Sequence, residues 1–499
     1  MRNDHTHFPA QVYKESVLTP LFNDFKQHFY EELMDINYAH CVMLAEQKII
    51  SLEEAKRILA GLREIEATID LASLEYTGEY EDIFFFIESE LINKIGLDVA
   101  GKLHTGRSRN DIDITLYKMK IKGYLHGLIG NLADLVGSLL EVAQKHKATL
   151  VVAYTHGQPA QPTTFGHYLG SIIEILERDL ERLFQAYRMC DKSSMGAAAI
   201  TTTGFSIDRH RVADLLGFRE PQENSYGCIA AVDYLTQVYS ALKILFISLG
   251  RVTQDLGYWT GFEVAHLYVP NEFVQISSIM PQKRNPVPIE HLRIMASIVN
   301  GHCDTVINAM HNTPFTDMND AEDPIQVVGF AAFSTAERML RLFTELVKGL
   351  SVNEEKVQEH LAASFASVTE LADSLVRAEG ISFRQAHEIA SAVTKELLEE
   401  GKILTDLEYE RFRRIYATVM QREPQISLDQ LSEYVKPDYF VAVRECFGGP
   451  GVNHLTRSLL RYEEQLDYYR EELKGLLAQT ALAEARLKEA VDSCLQYLA

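Results

Sequence analysis

One feature constrains the fold more than any other. Over 115–146 the chain sustains a helical apolar period: Leu125, Leu128, Ile129, Leu132, Leu135, Val136, Leu139 and Leu140 recur at i, i+3, i+4 and i+7. Similar long patterns follow at 165–187, 230–256, 288–309 and 331–350. Only 14 Pro and 28 Gly interrupt 499 residues, so little breaks these helices. Amphipathic helices this long, joined by short loops, bury their stripes against one another. An all-α fold built on an elongated central bundle is the expectation.

The rest of the chain divides around that bundle. Residues 1–100 read as shorter helices, with a stripe over 24–48 and a capping box at Ser51-Leu-Glu-Glu54 opening the next helix. Residues 101–115 read as a polar loop leading into the first long helix. The expected units are an N-terminal helical domain at 1–100, the bundle at 101–350, a C-terminal helical domain at 351–455 and a helical extension at 456–499. The extension reads as one amphipathic helix or a pair.

Charge narrows the function. The chain carries 48 Lys+Arg against 70 Asp+Glu, a formal net charge of −22. Such a field repels phosphate backbones and anionic lipid, so nucleic acid and membrane surfaces are not expected partners. An anionic small molecule remains possible if its site concentrates local positive groups. The six cysteines form no CxxC pair, as expected of reduced thiols in a cytoplasmic protein. The first residues show no apolar signal core, and no run of about 18 apolar residues suggests a membrane span. His5 and His7 read as solvated residues of a polar leader rather than as a metal pair. No phosphate-binding glycine loop, zinc motif or nucleophile elbow is present. No metal and no cofactor are therefore expected.

Three polar segments stand out. Thr105-Gly-Arg-Ser-Arg-Asn-Asp111 places two arginines, a Ser and an Asn at a helix entrance, a composition suited to holding an anion. A solvated basic helix cap is the alternative. Tyr154-Thr-His-Gly-Gln-Pro-Ala-Gln-Pro162 presents His156 beside Thr155 in a Pro-bounded turn. Histidine is the commonest proton-transfer residue, and also a common structural hydrogen-bonder. Ser277-Ser-Ile-Met-Pro-Gln-Lys-Arg-Asn-Pro286 sets two serines just ahead of a Lys-Arg-Asn cluster. A cation near a hydroxyl can acidify it, although a flexible basic surface loop has the same composition.

Taken together, in this order, the three segments resemble the signature regions of the fumarase/aspartase superfamily. The SSxMPxKxNP pattern at 277–286 is the strongest mark. The HTGRSRND run at 104–111 and the YTHxQxAQPxTFGH pattern at 154–167 are similar to argininosuccinate lyases in particular. Weaker similarity lies in Gly196-Ala-Ala-Ala, in Gly204-Phe-Ser-Ile-Asp-Arg209 and in Phe383-Arg-Gln-Ala-His387. The resemblance spans roughly 25–465. It implies three helical domains and a homotetramer whose active sites draw loops from three subunits. It also implies elimination of fumarate from an N-substituted aspartate, such as argininosuccinate with release of arginine. By the same resemblance Ser277 is the general base on a mobile loop, supported by Lys283. His156, oriented by Glu290, serves proton delivery to the leaving amine. Asn110 and Asn285 hold carboxylates, and Ser108, Arg109 and Thr155 fix the succinyl half.

The departures from the family pattern cluster on the amine side. The opening Trp-Gly-Gly-Arg-Phe segment is missing, and Asn37 stands where the family has Ser. Gly227 replaces Asp and Val232 replaces Arg. Asp317 stands at the usual Tyr, Glu322 at Gln and Ile325 at Lys. Asn37, Asp317 and Glu322 are therefore the candidate amine-side contacts. The pocket becomes more negative, which suits a cationic or polar amine better than one bearing a carboxylate. A lyase of the same type acting on a different N-substituted aspartate, an adenylosuccinate lyase and a non-catalytic homologue are the other readings.

Overall fold

The computed structural model describes residues 8–496, so His5 and His7 lie outside the described residues. The described chain is all-α apart from four two-stranded ladders. Helix α1 (Tyr30–Glu46) and helix α2 (Leu52–Thr68) belong to the N-terminal region. The capping box opens α2 as the sequence suggests: Glu54 N donates to Ser51 Oγ at 3.2 Å, and Ser51 N donates to Glu54 Oε2 at 2.8 Å.

Five long helices build the centre. Helix α3 (Arg109–Lys145) leads into a hairpin of β1 (Leu150–Thr155) and β2 (Gln158–Thr164). Then come α4 (Phe165–Cys190), α5 (Asp233–Trp259), a small ladder of β3 (Gln275–Ile276) with β4 (Arg284–Asn285), α6 (Val287–Met310) and α7 (Asp323–Gly349). They pack as a closed ring in which α3 touches α4, α4 touches α5, α5 touches α6, α6 touches α7, and α7 returns to α3. The stripe read from the sequence is the packed face: Leu125, Ile129, Leu132, Leu135 and Val136 are fully buried. Each such side chain contributes about 1.5–3 kcal/mol of burial. Helix α3 is long and apolar enough to meet a membrane-span criterion, and most of that stretch is buried in the ring.

Successive helices run in opposite directions, so the ring has two ends. At the loop end, the N-terminal part of α3 meets residues 191–199, the start of α5 and the 311–322 connection. At the hairpin end, Gly166 N donates to His146 O at 3.0 Å, and Tyr168 lies 4.5 Å from Trp259. There too Leu267 pairs with Val352. Two buried lysines of α3 fasten the loop end. Lys122 Nζ reaches Asp191 Oδ1 at 2.5 Å and Gly217 O at 2.6 Å. Lys118 donates at 3.1 Å to Lys192 O, Ser194 Oγ and Gln222 Oε1, and burial pulls it down to about 8.

Beyond the ring, helices Val368–Glu379, Phe383–Glu399 and Tyr409–Met420 enclose a separate core around Leu371, Ile389, Phe412 and Tyr416. The tail is one continuous helix, α8 (Val452–Gln496), laid along α3, α4, α1 and α2. Phe184 stacks on Tyr469 at 5.6 Å, and Arg486 pairs with Asp214 at 2.6 Å. Three expected boundaries move, and one turn becomes a ladder. The first long helix starts at Arg109 rather than near 115, and the last ring helix at Asp323 rather than near 331. The stripe at 24–48 is two helices, broken at Phe29. The Pro-bounded turn is a β-hairpin, whose two-stranded form leaves outward N–H positions where Pro159 and Pro162 fit.

Candidate active site

At the loop end, Ser108 caps α3. Its N–H donates to Asp111 Oδ1 at 2.8 Å, and its Oγ donates to Asn110 Oδ1 at 3.0 Å. The other oxygen of Asp111 accepts Gly196 N at 2.8 Å and Ala198 N at 2.9 Å. One fully buried carboxylate thus fixes two chain segments, and burial pushes it up to about 6 against the pull of those donors and of Arg107. Asn110 Nδ2 donates to Ala199 O at 3.2 Å and to Asp317 Oδ2 at 2.9 Å. The loop at 105–111 and the loop carrying Asp317 therefore share one site.

Arg109 sits among carboxylates. It lies 2.5 Å from Asp82, 3.4 Å from Asp113 and 3.8 Å from Glu81. Those negative neighbours outweigh burial and hold the guanidinium well above its usual range. Burial pushes Glu322 up to about 7, helped by Asp317 and Asp323, while Arg109 opposes it. Asp323 accepts the Tyr117 hydroxyl, and burial lifts its carboxyl to about 6. Asn37 lies apart from this group. It is 2% exposed, and its Oδ1 accepts Arg107 Nη1 at 2.7 Å beneath the N-terminal helices. Within one subunit it lines a small cavity with Phe84, His104 and Arg107.

At the hairpin end, His156 and Gly157 form a two-residue turn between Thr155 and Gln158, with φ of +54° and +72°. Positive φ at both central positions is the hairpin turn that matches strand twist, and the second position suits glycine. The turn presents Thr155 and His156 to solvent. The 277–285 loop hangs from the β3–β4 ladder. Asn285 Nδ2 donates to Gln275 O at 3.0 Å, and Arg284 Nη2 donates to Val269 O at 2.9 Å. Just beyond β3, Ser277 Oγ accepts Met280 N at 3.1 Å and Ile279 N at 3.4 Å. Lys283 N closes the turn onto Met280 O at 3.0 Å, leaving its side chain exposed. Glu290 is exposed in the first turn of α6, and among the described residues no hydrogen bond joins it to His156.

One subunit therefore brings together Ser108, Arg109, Asn110, Asp317 and Glu322, and keeps Thr155, His156, Ser277, Lys283, Asn285 and Glu290 at the opposite end. Helix α3, 37 residues and so about 55 Å long at 1.5 Å per residue, holds Asn110 in its first turn and leads to the hairpin at its far end. Among the described residues no group of three or more His, Cys, Asp or Glu is placed to hold a metal.

Residues 21–301 match the family model described as lyase, and 365–442 match the model described as argininosuccinate lyase C-terminal. Argininosuccinate lyase 2 of Agrobacterium fabrum (strain C58 / ATCC 33970) is 49% identical over 488 residues, 98% of this chain and 97% of that protein. The chain belongs to the argininosuccinate lyase family. Argininosuccinate lyase of Methanocaldococcus jannaschii is 35% identical over 449 residues, 90% of this chain and 91% of its own. Among solved structures, EDDS lyase in complex with formate superposes with a TM-score of 0.85 at 27% identity, covering 99% and 98% of the two chains. A class II fumarase from Schistosoma mansoni, at 18% identity and a TM-score of 0.68 over 86% and 92%, shares the fold. Membership makes this chain a lyase that cleaves a carbon–nitrogen bond with elimination of fumarate, acting on a small dicarboxylate.

Several residues that order this argininosuccinate lyase-family site carry little signal in the sequence. Asp82 and Asp113 grip Arg109, and Tyr117 meets Asp323 across more than 200 positions. Asp111 is the exception, because Ser108 and Asp111 stand at capping-box spacing.

Proposed function

We propose that the elimination runs at sites shared by three subunits of a homotetramer, with Ser277 as general base. The observation that carries this reading is the pair of backbone N–H groups aimed at Ser277 Oγ. Donors on a hydroxyl oxygen favour its deprotonated form, and Lys283 on the same turn adds positive charge. The base removes the proton from the carbon next to a substrate carboxylate. Charge spreads into that carboxylate, held by Asn110 of one subunit and Asn285 of another. The C–N bond then breaks, its electrons leave with nitrogen, and His156, oriented by Glu290, delivers the proton to the departing amine. Ser108 and Thr155 complete the hold on the succinyl half. Arg109, already gripped by Asp82 and Asp113, positions the start of α3 rather than binding substrate alone.

Two observations support the shared site. The separation along α3 supports a site in which Asn110 and His156 reach one substrate from different chains. The outer faces of α5 and α6 carry exposed Ile244, Ile247, Ile294 and Ile298, an apolar stripe suited to contact between subunits. Six free cysteines, four of them buried, fit a cytoplasmic location.

The substrate is an N-(1,2-dicarboxyethyl) amine. With argininosuccinate the product is arginine, and the reaction belongs to arginine biosynthesis. A second reading, a different amine, is favoured by the carboxylates of Asp317 and Glu322 beside Asn110. Fumarate release, followed by ultraviolet absorbance, separates the two readings when argininosuccinate is compared with other N-substituted aspartates. Ser277→Ala is expected to lower kcat about a hundred- to ten-thousandfold. Unchanged turnover in that variant contradicts the assigned base.

A further inference from the structure

The loop end holds more negative charge than its cations balance. Asp82 and Asp113 pair directly with Arg109, which acts on Asp317, Glu322 and Asp323 only from longer range, whereas among the described residues the hydrogen-bond donor on Asp317 is the neutral amide of Asn110 and that on Asp323 the neutral hydroxyl of Tyr117. Among the described residues the Glu322 side chain has no hydrogen-bond or ion-pair partner in its own subunit, though it is more than half removed from solvent. Nearby, Val232 at the start of α5 and Ile325 at the start of α7 pack against the core and offer no donor to an anion. Tyr234 and Gln326, one or two residues further on, are in contact, so these two starts lie side by side. Unpaired carboxylates held away from water attract a cation and oppose a further anion.

We propose that Asp317 and Glu322 select an amine that carries a second positive charge and no carboxylate of its own, such as a diamine or a guanidinoalkyl amine. This rests on the lyase site described above and names the class of its leaving group. In the reverse direction the nitrogen lone pair of the amine forms a bond to one alkene carbon of fumarate. The neighbouring carbon takes a proton, the nitrogen gives one up, and no further reactant is needed. Asn110 and the partner loop bearing Lys283 and Asn285 hold the fumarate half. The distal cation of the amine lies against Glu322 and Asp317, and Val232 and Ile325 line its hydrocarbon stem.

Three matched amines test this with the full-length wild-type enzyme and fumarate. Agmatine differs from arginine by the absence of the carboxylate, and butylguanidine keeps the reacting guanidine of agmatine but lacks its distal cation. Fumarate consumption and the mass of the adduct are read for each. The expected kcat/KM for agmatine exceeds both others by at least about tenfold. Glu322→Gln and Asp317→Asn each lower the agmatine-to-butylguanidine ratio about tenfold, and Glu322→Asp restores most of it. Circular dichroism and sedimentation establish that the variants keep their fold and assembly. Arginine used as well as agmatine overturns the proposal and leaves the lyase reading standing, as does a ratio unmoved in both variants. If no amine consumes fumarate and argininosuccinate releases none, the lyase site itself is wrongly assigned and the proposal falls with it.

Discussion

Asp111 receives three backbone N–H groups, one from its own helix cap and two from the 196–198 turn. Its spacing from Ser108 is readable, but the partners at Gly196 and Ala198 lie 85 and 87 positions away and leave no local mark. Asp111→Asn keeps the size and loses acceptor capacity, so at least one buried N–H goes unpaired. The expected loss is about 1–3 kcal/mol in chemical denaturation, with weaker substrate binding because Asn110 sits on the same turn. Stability within error of wild type argues against this carboxylate as the fastening. Arg109 shows the other limit of sequence reading. Two arginines beside a helix start suggest an anion site, yet Asp82 and Asp113 already occupy this one. His156 stood out in the sequence as a candidate proton carrier, while its positive φ, which needs the tight hairpin, was hidden by the flanking prolines.

Helices were the most legible elements, because a period of 3.6 over six or more turns has few competing explanations. Their starts were less so. Polar caps such as Ser108-Arg-Asn-Asp111 and Glu322-Asp-Pro324 look like loop, so two ring helices begin earlier than their apolar pattern. Close approaches between helices were not legible either. Gly329 lies in the middle of α7, where alanine is normally the better helix former by about 1 kcal/mol. A Cβ there meets Tyr239 Oη at 1.8 Å, and Tyr239 is fully buried. Gly329→Ala is therefore expected to destabilise the ring by about 1–3 kcal/mol, measured as a lower denaturation midpoint. An unchanged or higher midpoint contradicts the packing. The tail shows an electrostatic effect. Asp35 faces a cavity of 530 Å³ between α1 and α8. Burial raises its carboxyl to about 7, helped by Glu32, Glu66, Glu484 and Glu31. A carboxyl raised on folding adds no penalty below its unfolded value near 4 and the full penalty above about 7. Asp35→Asn is expected to melt higher than wild type at pH 8, with the gap closing towards pH 4. A gap that is constant with pH shows that Asp35 is not the titrating group.

At the scale of the molecule, the ring separates the residues proposed to share one reaction. Asn110 and Asp317 meet at one end, and His156, Ser277 and Lys283 stand at the other. The motifs marked the candidate residues in the sequence, but no spacing along a chain reveals that the long ring helix α3 holds Asn110 and His156 at opposite ends of one subunit. The most direct measurement is complementation between two inactive variants. Asn110→Ala and His156→Ala are each purified, shown to be inactive, dissociated together and reassembled as mixed tetramers. Sites built from separate subunits recover activity towards about a quarter of wild type at equal mixing, because some sites receive both intact residues. If each site were made within a single chain, every site would keep one defect, and the mixture would stay as inactive as its components.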